Sequence, residues 1–301
     1  PVPIVADVHF DHRMALAAIE AGAAKLRLNA GNITDPKKTR EVVELALQRG
    51  TPIRVGVNLG SLAKDLEERL GLTPEAMVES AIRHVETLEN LGHTDIVISL
   101  KAHEVETTVH AYRLMDRRLR ERGTPYALHL GITEAGLPRD GTIKSAIGLG
   151  ILLSEGIGDT LRVSLAADPI EEVPVCWGIL KALGLREKGF EITACPSCGR
   201  AEIEVVDLAE RVEALAKEYN APVKVAVMGC VVNGPGESKM ADVGVAGGKG
   251  KGAIYRRGEL VGTYAEERLL GALRDEIEKV IAELYPEYAH EIGRHEQTAP
   301  A

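Results

Sequence analysis

Three cysteines carry the most specific chemistry in this chain. Cys195-Pro196-Ser197-Cys198 is a Cys-x-x-Cys pair, and Cys230 follows 32 residues after Cys198, just past an apolar run. Two thiolates at this spacing grip one metal ion or neighbouring irons of a cluster, and Cys230 supplies a third. A closed zinc site needs a fourth nitrogen or sulfur ligand, yet no His lies between residues 195 and 260. The acidic candidate is Glu237, in the turn-like stretch Asn233-Gly234-Pro235-Gly236-Glu237. An oxygen ligand would leave one iron of a 4Fe–4S cluster exchangeable, so that the cluster serves as electron donor and Lewis acid. Spacing alone leaves this and a zinc knuckle both open. The fourth cysteine, Cys176, sits in an apolar helical segment and reads as a core thiol. With four cysteines in 301 residues and no secretory signal, a disulfide framework is not expected.

A second set of polar residues ends a series of apolar runs. The first run closes on Asp7 and His9, the second holds Arg27 and Asn29, and the third carries Arg54 and Asn58. The fourth ends at Lys101, the fifth at Glu134 and the sixth at Ser164. Alternation along a strand puts Asp7 with His9, Arg27 with Asn29, and Arg54 with Asn58, each pair on one face. Ligands of parallel α/β sheets and barrels bind at the C-terminal strand ends, so three cations and a His gathered there suit a diphosphate. Asp7 has a competing role as N-cap of the helix that begins near Arg13.

The elements that must position these residues are βα units. Strands are expected at Pro3–Asp7, Lys25–Asn29, Pro52–Asn58, Asp95–Lys101, Tyr126–Thr133 and Thr160–Ala166. Between them, Val78, Ala81, Ile82 and Val85 form an apolar stripe on a helix entered at Thr73 and left at Gly92. Six units imply a parallel sheet covered by helices, and a closed (β/α)8 barrel needs two more, of about 30 residues each. The chain opens at Pro1 without Met, so the two units are expected ahead of it. From about Phe190 the pattern changes to a smaller α+β domain. It has strands at Phe190–Ala194 and Val223–Met228, a helix over Asp207–Tyr219, and a closing helix with Leu269, Leu273, Ile277, Val280 and Leu284 on one face. The expected domains are therefore residues 1–189, an incomplete barrel, and residues 190–301. Gly247–Gly252 lacks the form of a phosphate loop and reads as a hairpin or loop, and Gly148 and Gly150 as helix-packing positions.

A net charge of −9 argues against nucleic acid as the partner. No apolar run is long enough for a membrane span, and no signal peptide is visible, so a cytoplasmic location is expected. These features leave three classes: a reductive iron–sulfur enzyme, a metal-dependent barrel hydrolase or lyase with a structural zinc tail, and a docking module. Strand-end cations favour an enzyme, and the acidic residue after the third thiol favours the first.

The stretches VADVHFDHRMAL, KLRLNAGNI, PIRVGVNLGSL, LHLGITEAG, KSAIGLGILLSEGIGDTLRVSLAADP, ACPSCGR and GCVVNGPGE resemble the bacterial 4-hydroxy-3-methylbut-2-enyl diphosphate synthase family along nearly the whole chain. The resemblance implies a barrel of the triosephosphate isomerase type followed by an iron–sulfur domain. It implies reductive ring opening of 2-C-methyl-D-erythritol 2,4-cyclodiphosphate, with loss of a hydroxyl as water, in non-mevalonate isoprenoid biosynthesis. Flavodoxin or ferredoxin would supply two electrons. By motif, Cys195, Cys198, Cys230 and Glu237 match cluster ligands and Glu134 the acid–base carboxylate. His9, Arg27, Arg54, Asn58, Lys101 and Ser164 match substrate contacts, with Asp7 and Asn29 beside them and Asn233 next to the cluster. The resemblance also implies a homodimer in which one chain's cluster domain caps the other's barrel mouth. The family's first two barrel strands, with a further substrate-binding Arg, have no counterpart here.

Overall fold

Each apolar run of the first part becomes a strand with one face against helices and the other lined by polar side chains. The computed structural model describes residues 2–9, 11–29 and 35–293. Residues 30–33, the end of the KLRLNAGNI stretch, lie outside them, as does Phe10 of VADVHFDHRMAL. The chain forms two compact units, Pro1–Leu183 and Gly184–Ala301.

In the first unit the strands are β1 Val5–Val8, β2 Lys25–Asn29, β3 Ile53–Asn58, β4 Ile96–Lys101, β5 Ala127–Gly131 and β6 Thr160–Arg162. They pair in parallel, in sequential order, as one six-stranded sheet. The helices that follow are α1 His12–Glu20, α2 Pro36–Arg49, α3 Lys64–Leu70, α4 Pro74–Asn90, α5 Val105–Arg122, α6 Pro138–Ser154 and α7 Glu172–Ala182. Leu26, Ile53, Val55, Ile98, Leu100 and Leu130 turn outward into a core with Val43, Met77, Val85, Tyr112, Met115 and Leu152 from the helices. Burial of such side chains, at about 1.5–3 kcal/mol each, holds the helix layer on the sheet.

Local signals set several boundaries. Thr73 caps α4, its hydroxyl accepting the Ala76 N–H at 3.2 Å, and Gly92 turns the chain out with a φ of 82°. Asp11, not Asp7, caps α1 by accepting the Arg13 N–H at 3.0 Å. Asp7 is instead engaged across the sheet. The fifth and sixth strands stop at Gly131 and Arg162, so Glu134 and Ser164 stand in the loops that follow. Gly148 permits close packing, since a Cβ there would meet the Ile132 side chain at 2.7 Å. Gly150 has open space around it and needs another explanation.

The second unit holds β7 Glu191–Ala194, β8 Lys224–Met228, β9 Val243–Gly248, β10 Lys251–Arg256 and β11 Glu259–Ala265. Their order is β11-β10-β9-β8-β7: β7, β8 and β9 run parallel, and β9–β10 and β10–β11 are antiparallel. The helices are α8 Val205–Ala216, α9 Gly234–Met240 and α10 Leu269–Leu284. Residues 247–252 form the ends and turn of the β9–β10 hairpin. On α10, Leu269, Leu273, Ile277, Val280 and Ile281 are buried, while Leu284 is exposed. The helical period carries Ile281 inward at the end, where Leu284 overshoots the stripe. Among the described residues no helix is long and apolar enough to cross a membrane.

Candidate active site

The inner face of the six-stranded sheet is charged. Register places Asp7 beside Arg27, and Arg27 beside Arg54, on three adjacent strands. Arg27 Nη1 donates to Asp7 Oδ1 at 2.7 Å and stands 3.0 Å from His9 Nε2. Room for the Arg27 guanidinium depends on Gly56 of β3, where a Cβ would come within 2.3 Å of Nε. Arg54 lies partly buried next to it, and its Nε is buried without a hydrogen-bond partner. A buried, unpaired guanidinium N–H is costly and calls for an anion.

One layer further along the strands, a cavity of about 410 Å³ opens at the C-terminal ends. His9, Asn29, Asn58, Lys101 and Glu134 all line it, joined by Ser61 and His103. Five sequence-predicted residues thus share one cavity. Asp7, Arg27 and Arg54 lie at deeper positions on the same face, and Ser164 is not part of the cavity wall. Asn29 is buried, and its side-chain amide donates to Ser61 Oγ at 3.3 Å. Glu134 is exposed and held at a φ of 53°, a backbone strain often found at functional positions.

Lys101 is buried to 6% exposure, and its pKa falls to about 7. Burial is the main cause, reinforced by Arg162, Arg54 and Arg27. Lys101 on β4 and Arg54 on β3 thus both feel the Arg162 guanidinium of β6. Arg162, Tyr112 and His129 were missed in the sequence. Arg162 ends β6 on the inner face and donates to Ser164 Oγ at 3.0 Å. It alternates with apolar Leu161 as Arg27 alternates with Leu26, so the period-two signal marks it, although the strand is only three residues long and the motif residue Ser164 lies in the loop beyond. His129, inward on β5, contacts Thr160 Oγ1 at 2.8 Å and is driven to a pKa of about 2 by burial and then by Lys101. It is therefore neutral among the cations.

Tyr112 of α5 shapes this region from behind. The β4–β5 ladder pairs Val97 with Ala127 and Ile98 with Leu128. Beyond that point the Tyr112 hydroxyl accepts the Leu100 N–H at 3.0 Å and donates to the His129 carbonyl at 2.5 Å. A phenol thus replaces a ladder bond between the strands that carry Lys101 and Gly131. Gly131 in turn leaves space for Lys101 Nζ, which a Cβ would meet at 3.1 Å.

In the second unit the thiols come off the C-terminal ends of two adjacent parallel strands. Cys195 follows β7, its N–H bonded to the Val227 carbonyl of β8 at 3.1 Å, and its Sγ accepts the Gly229 N–H at 3.2 Å. Cys230 begins the next loop, and its carbonyl accepts the Gly234 N–H at 3.2 Å, which starts α9 at once. Glu237 and Asn233 therefore belong to a short helix and its N-cap, where a turn was expected. The reason is packing: Gly234 sits against Ala246, which a Cβ would meet at 2.3 Å, and this draws the segment onto β9. Cys198 lies exposed in the loop, and its pKa is lowered by the backbone N–H and guanidinium of Arg200. Cys176, on α7, packs partly buried against the first unit's core, and burial raises its pKa.

Among the described residues no three Cys, His, Asp or Glu side chains stand close enough to hold one metal ion. The thiolates of an iron–sulfur cluster bind different irons, so such a group does not require its ligands to converge on one point. An exposed thiol of lowered pKa and a thiol that accepts a backbone N–H are donor chemistry suited to such a group.

The comparisons with known proteins divide the chain at the same place. Residues 1–177 match the family model described as the GcpE TIM-barrel domain, and residues 191–279 that of the GcpE protein C-terminal domain. A 4-hydroxy-3-methylbut-2-en-1-yl diphosphate synthase (flavodoxin) of Geobacter sulfurreducens is 54% identical over 94% of this chain and 79% of that protein. The proteins of that name from Lawsonia intracellularis and Caldanaerobacter subterraneus subsp. tengcongensis are 52% and 53% identical, each over 94% of this chain and 78% of their own length. By both measures the chain belongs to the GcpE family of 4-hydroxy-3-methylbut-2-en-1-yl diphosphate synthases.

Proposed function

We propose that this chain reductively opens 2-C-methyl-D-erythritol 2,4-cyclodiphosphate to 4-hydroxy-3-methylbut-2-enyl diphosphate, a step of the non-mevalonate isoprenoid pathway. The observation that carries the reading is the row Asp7–Arg27–Arg54 with its unpaired Arg54 Nε, beneath a cavity lined by Lys101 and Glu134. Arg54 and Lys101, which make no ion pair among the described residues, beside an Arg27 whose charge the half-exposed Asp7 offsets only in part, fit a doubly charged anion. The relatives' shared name supports the same chemistry, and none of the three supports a zinc-tailed hydrolase or lyase.

In this reading Arg27, Arg54, Lys101 and Arg162 hold the diphosphate oxygens, the guanidiniums bidentately where geometry allows. Asp7 orients Arg27. His9, Asn29, Asn58 and Ser164 fix the sugar-derived carbons and phosphoryl groups, and Asn233 serves as a polar neighbour of the thiols. Glu134 supplies a proton as the hydroxyl leaves as water. A 4Fe–4S cluster on Cys195, Cys198, Cys230 and Glu237 would supply the electrons and an exchangeable Lewis-acid position. Counted on the fully protonated diphosphates, the substrate takes up two electrons and two protons; the ring opens at the carbon–oxygen bond of one C–O–P linkage, the neighbouring C–OH bond breaks to give one water, and a carbon–carbon double bond forms between the two carbons.

The finer architecture follows the same proposal. Residues 1–189 form the greater part of an eight-stranded barrel that binds substrate, and residues 190–301 form the cluster domain. The enzyme works as a cytoplasmic homodimer reduced by flavodoxin or ferredoxin. The test is anaerobic incubation of iron-loaded protein with the cyclic diphosphate and reduced methyl viologen. The linear allylic diphosphate is expected, and Arg54→Ala is expected to weaken substrate binding about ten- to a hundredfold. Unchanged substrate in the presence of intact iron and sulfide would overturn the assignment.

A further inference from the structure

His129 is the polar side chain that β5 turns to the inner face of the six-stranded sheet, between Ala127 and Gly131. Both ends of the residue are fastened. The Tyr112 hydroxyl donates to its carbonyl at 2.5 Å, and Thr160 Oγ1, directly opposite on β6, stands 2.8 Å from Nδ1. The other ring nitrogen, Nε2, is buried and has no hydrogen-bond partner among the described residues. The charges that bear most on the ring are all positive: Lys101 of β4 first, then Arg54 of β3, Lys25 of β2 and Arg162 of β6. Lys101 Cε and Nζ fill the space over Gly131, where a Cβ would meet each at 3.1 Å, so the ammonium lies on the same strand face as the ring. Positive neighbours disfavour a proton on the free nitrogen. The ring therefore carries its proton on Nδ1, donating to Thr160 Oγ1, and offers the Nε2 lone pair to the cations.

We propose that His129 is a positioning residue for Lys101: Nε2 accepts one N–H of the ammonium, which turns the other two toward the diphosphate of the substrate. The inference rests on the substrate reading above and deepens it by naming the group that aims its lysine. An ammonium is a point charge with three donors on a flexible stem, so its direction must come from a neighbour. A neutral imidazole suits this place better than a carboxylate, because it accepts the N–H without cancelling the positive charge that holds the anion. Fixing the lysine beforehand also lowers the ordering cost of binding.

The experiment uses the full chain and reads Lys101 in two ways. Its titration is followed by NMR of isotope-labelled lysine Cε, with Lys101→Arg to assign the signal. The Kd of the cyclic diphosphate is measured by calorimetry on either side of neutrality. His129→Leu is expected to lower the Lys101 midpoint, because an acceptor favours the charged ammonium. It should also raise the Kd about tenfold where the wild-type lysine is charged. His129→Gln, whose amide oxygen reaches the place of Nε2, should keep both near the wild type. His129→Asn, whose amide stops at the place of Nδ1, should behave as His129→Leu does, and covers the case in which the leucine variant fails to fold. In a Lys101→Met background the same change at His129 should add nothing. An unmoved Lys101 midpoint in the Leu and Asn variants would overturn the proposal. So would a Gln variant as weak as the Leu variant, or a full effect of His129→Leu without Lys101, either of which would leave the ring a packing element. A wild type that does not bind the cyclic diphosphate would count instead against the proposed reaction, and the lysine midpoints would still decide the role of His129.

Discussion

Arg27 reaches across one strand to Asp7, with 2.7 Å between Nη1 and Oδ1, while its own side chain is 7% exposed and that of Asp7 is 49% exposed. The pair joins a buried cation to a half-open carboxylate, so Asp7 offsets only part of the positive charge behind it. Asp7→Asn is expected to destabilise the ligand-free protein by about 1 kcal/mol, the scale of a partly solvated pair. The cyclic diphosphate should stabilise the variant more than the wild type, because the ligand replaces the missing anion. Thermal melts with and without ligand measure this. Equal ligand-induced shifts in both proteins would show that Arg27 does not face the anion.

Lys101 gives the site a pH dependence. Its pKa drops from 10.5 to about 7 in the folded protein, so the unfolded chain binds more protons between those values. This group's cost to stability is complete below about pH 7 and is relieved as pH rises toward 10.5. Anion binding has the opposite sign, because it needs the ammonium. Affinity for the cyclic diphosphate, which does not itself titrate near neutrality, is expected to be flat below about pH 7. Above that it should weaken toward tenfold per unit. Lys101→Arg, which stays charged, should remove the break in a plot of log Kd against pH.

Tyr112→Phe tests the bridge between β4 and β5. Loss of the hydroxyl strands the Leu100 N–H and the His129 carbonyl in a buried place, at a cost of about 1–3 kcal/mol. Hydrogen exchange at the Leu100 amide should accelerate correspondingly, while exchange in the second unit stays as it was. An unaltered Leu100 rate would mean that the strands close up and make their own bond.

Glu134 and Glu237 should separate cleanly. Glu134→Gln is expected to keep the iron spectrum and substrate affinity and to lower turnover by about 10²-fold or more, the usual scale for a positioned acid. Glu237→Ala should instead alter the spectrum or release iron. Paired anaerobic spectra and rates decide, and the reverse pattern would exchange the two roles.

The cysteines divide in the same way. Ser at Cys195, Cys198 or Cys230 should abolish iron binding, read by metal analysis of anaerobically purified protein. Cys176→Ser should retain full iron and lose only packing, on the order of 1 kcal/mol, since it lies against the first unit's core.

Much of this was legible in one dimension. The period-two alternation of Arg27 with Leu26 and Leu28 fixes which side of a strand is polar, and Thr73 and Gly92 mark the two ends of one helix through a side-chain hydrogen bond and a left-handed dihedral. The Cys-x-x-Cys spacing and the long motifs likewise lie in contiguous sequence. Tertiary structure decided what depends on neighbours far along the chain. Only the register of three strands sets Asp7 beside Arg27 and Arg54, and so takes Asp7 away from a helix cap. Only the pairing of β4 with β5 and of β5 with β6 brings Arg162 into the field of Lys101, and only burial among those cations lowers the lysine's pKa. Alternation is a local property of the backbone, whereas charge, desolvation and strand register are sums over residues that folding alone brings together.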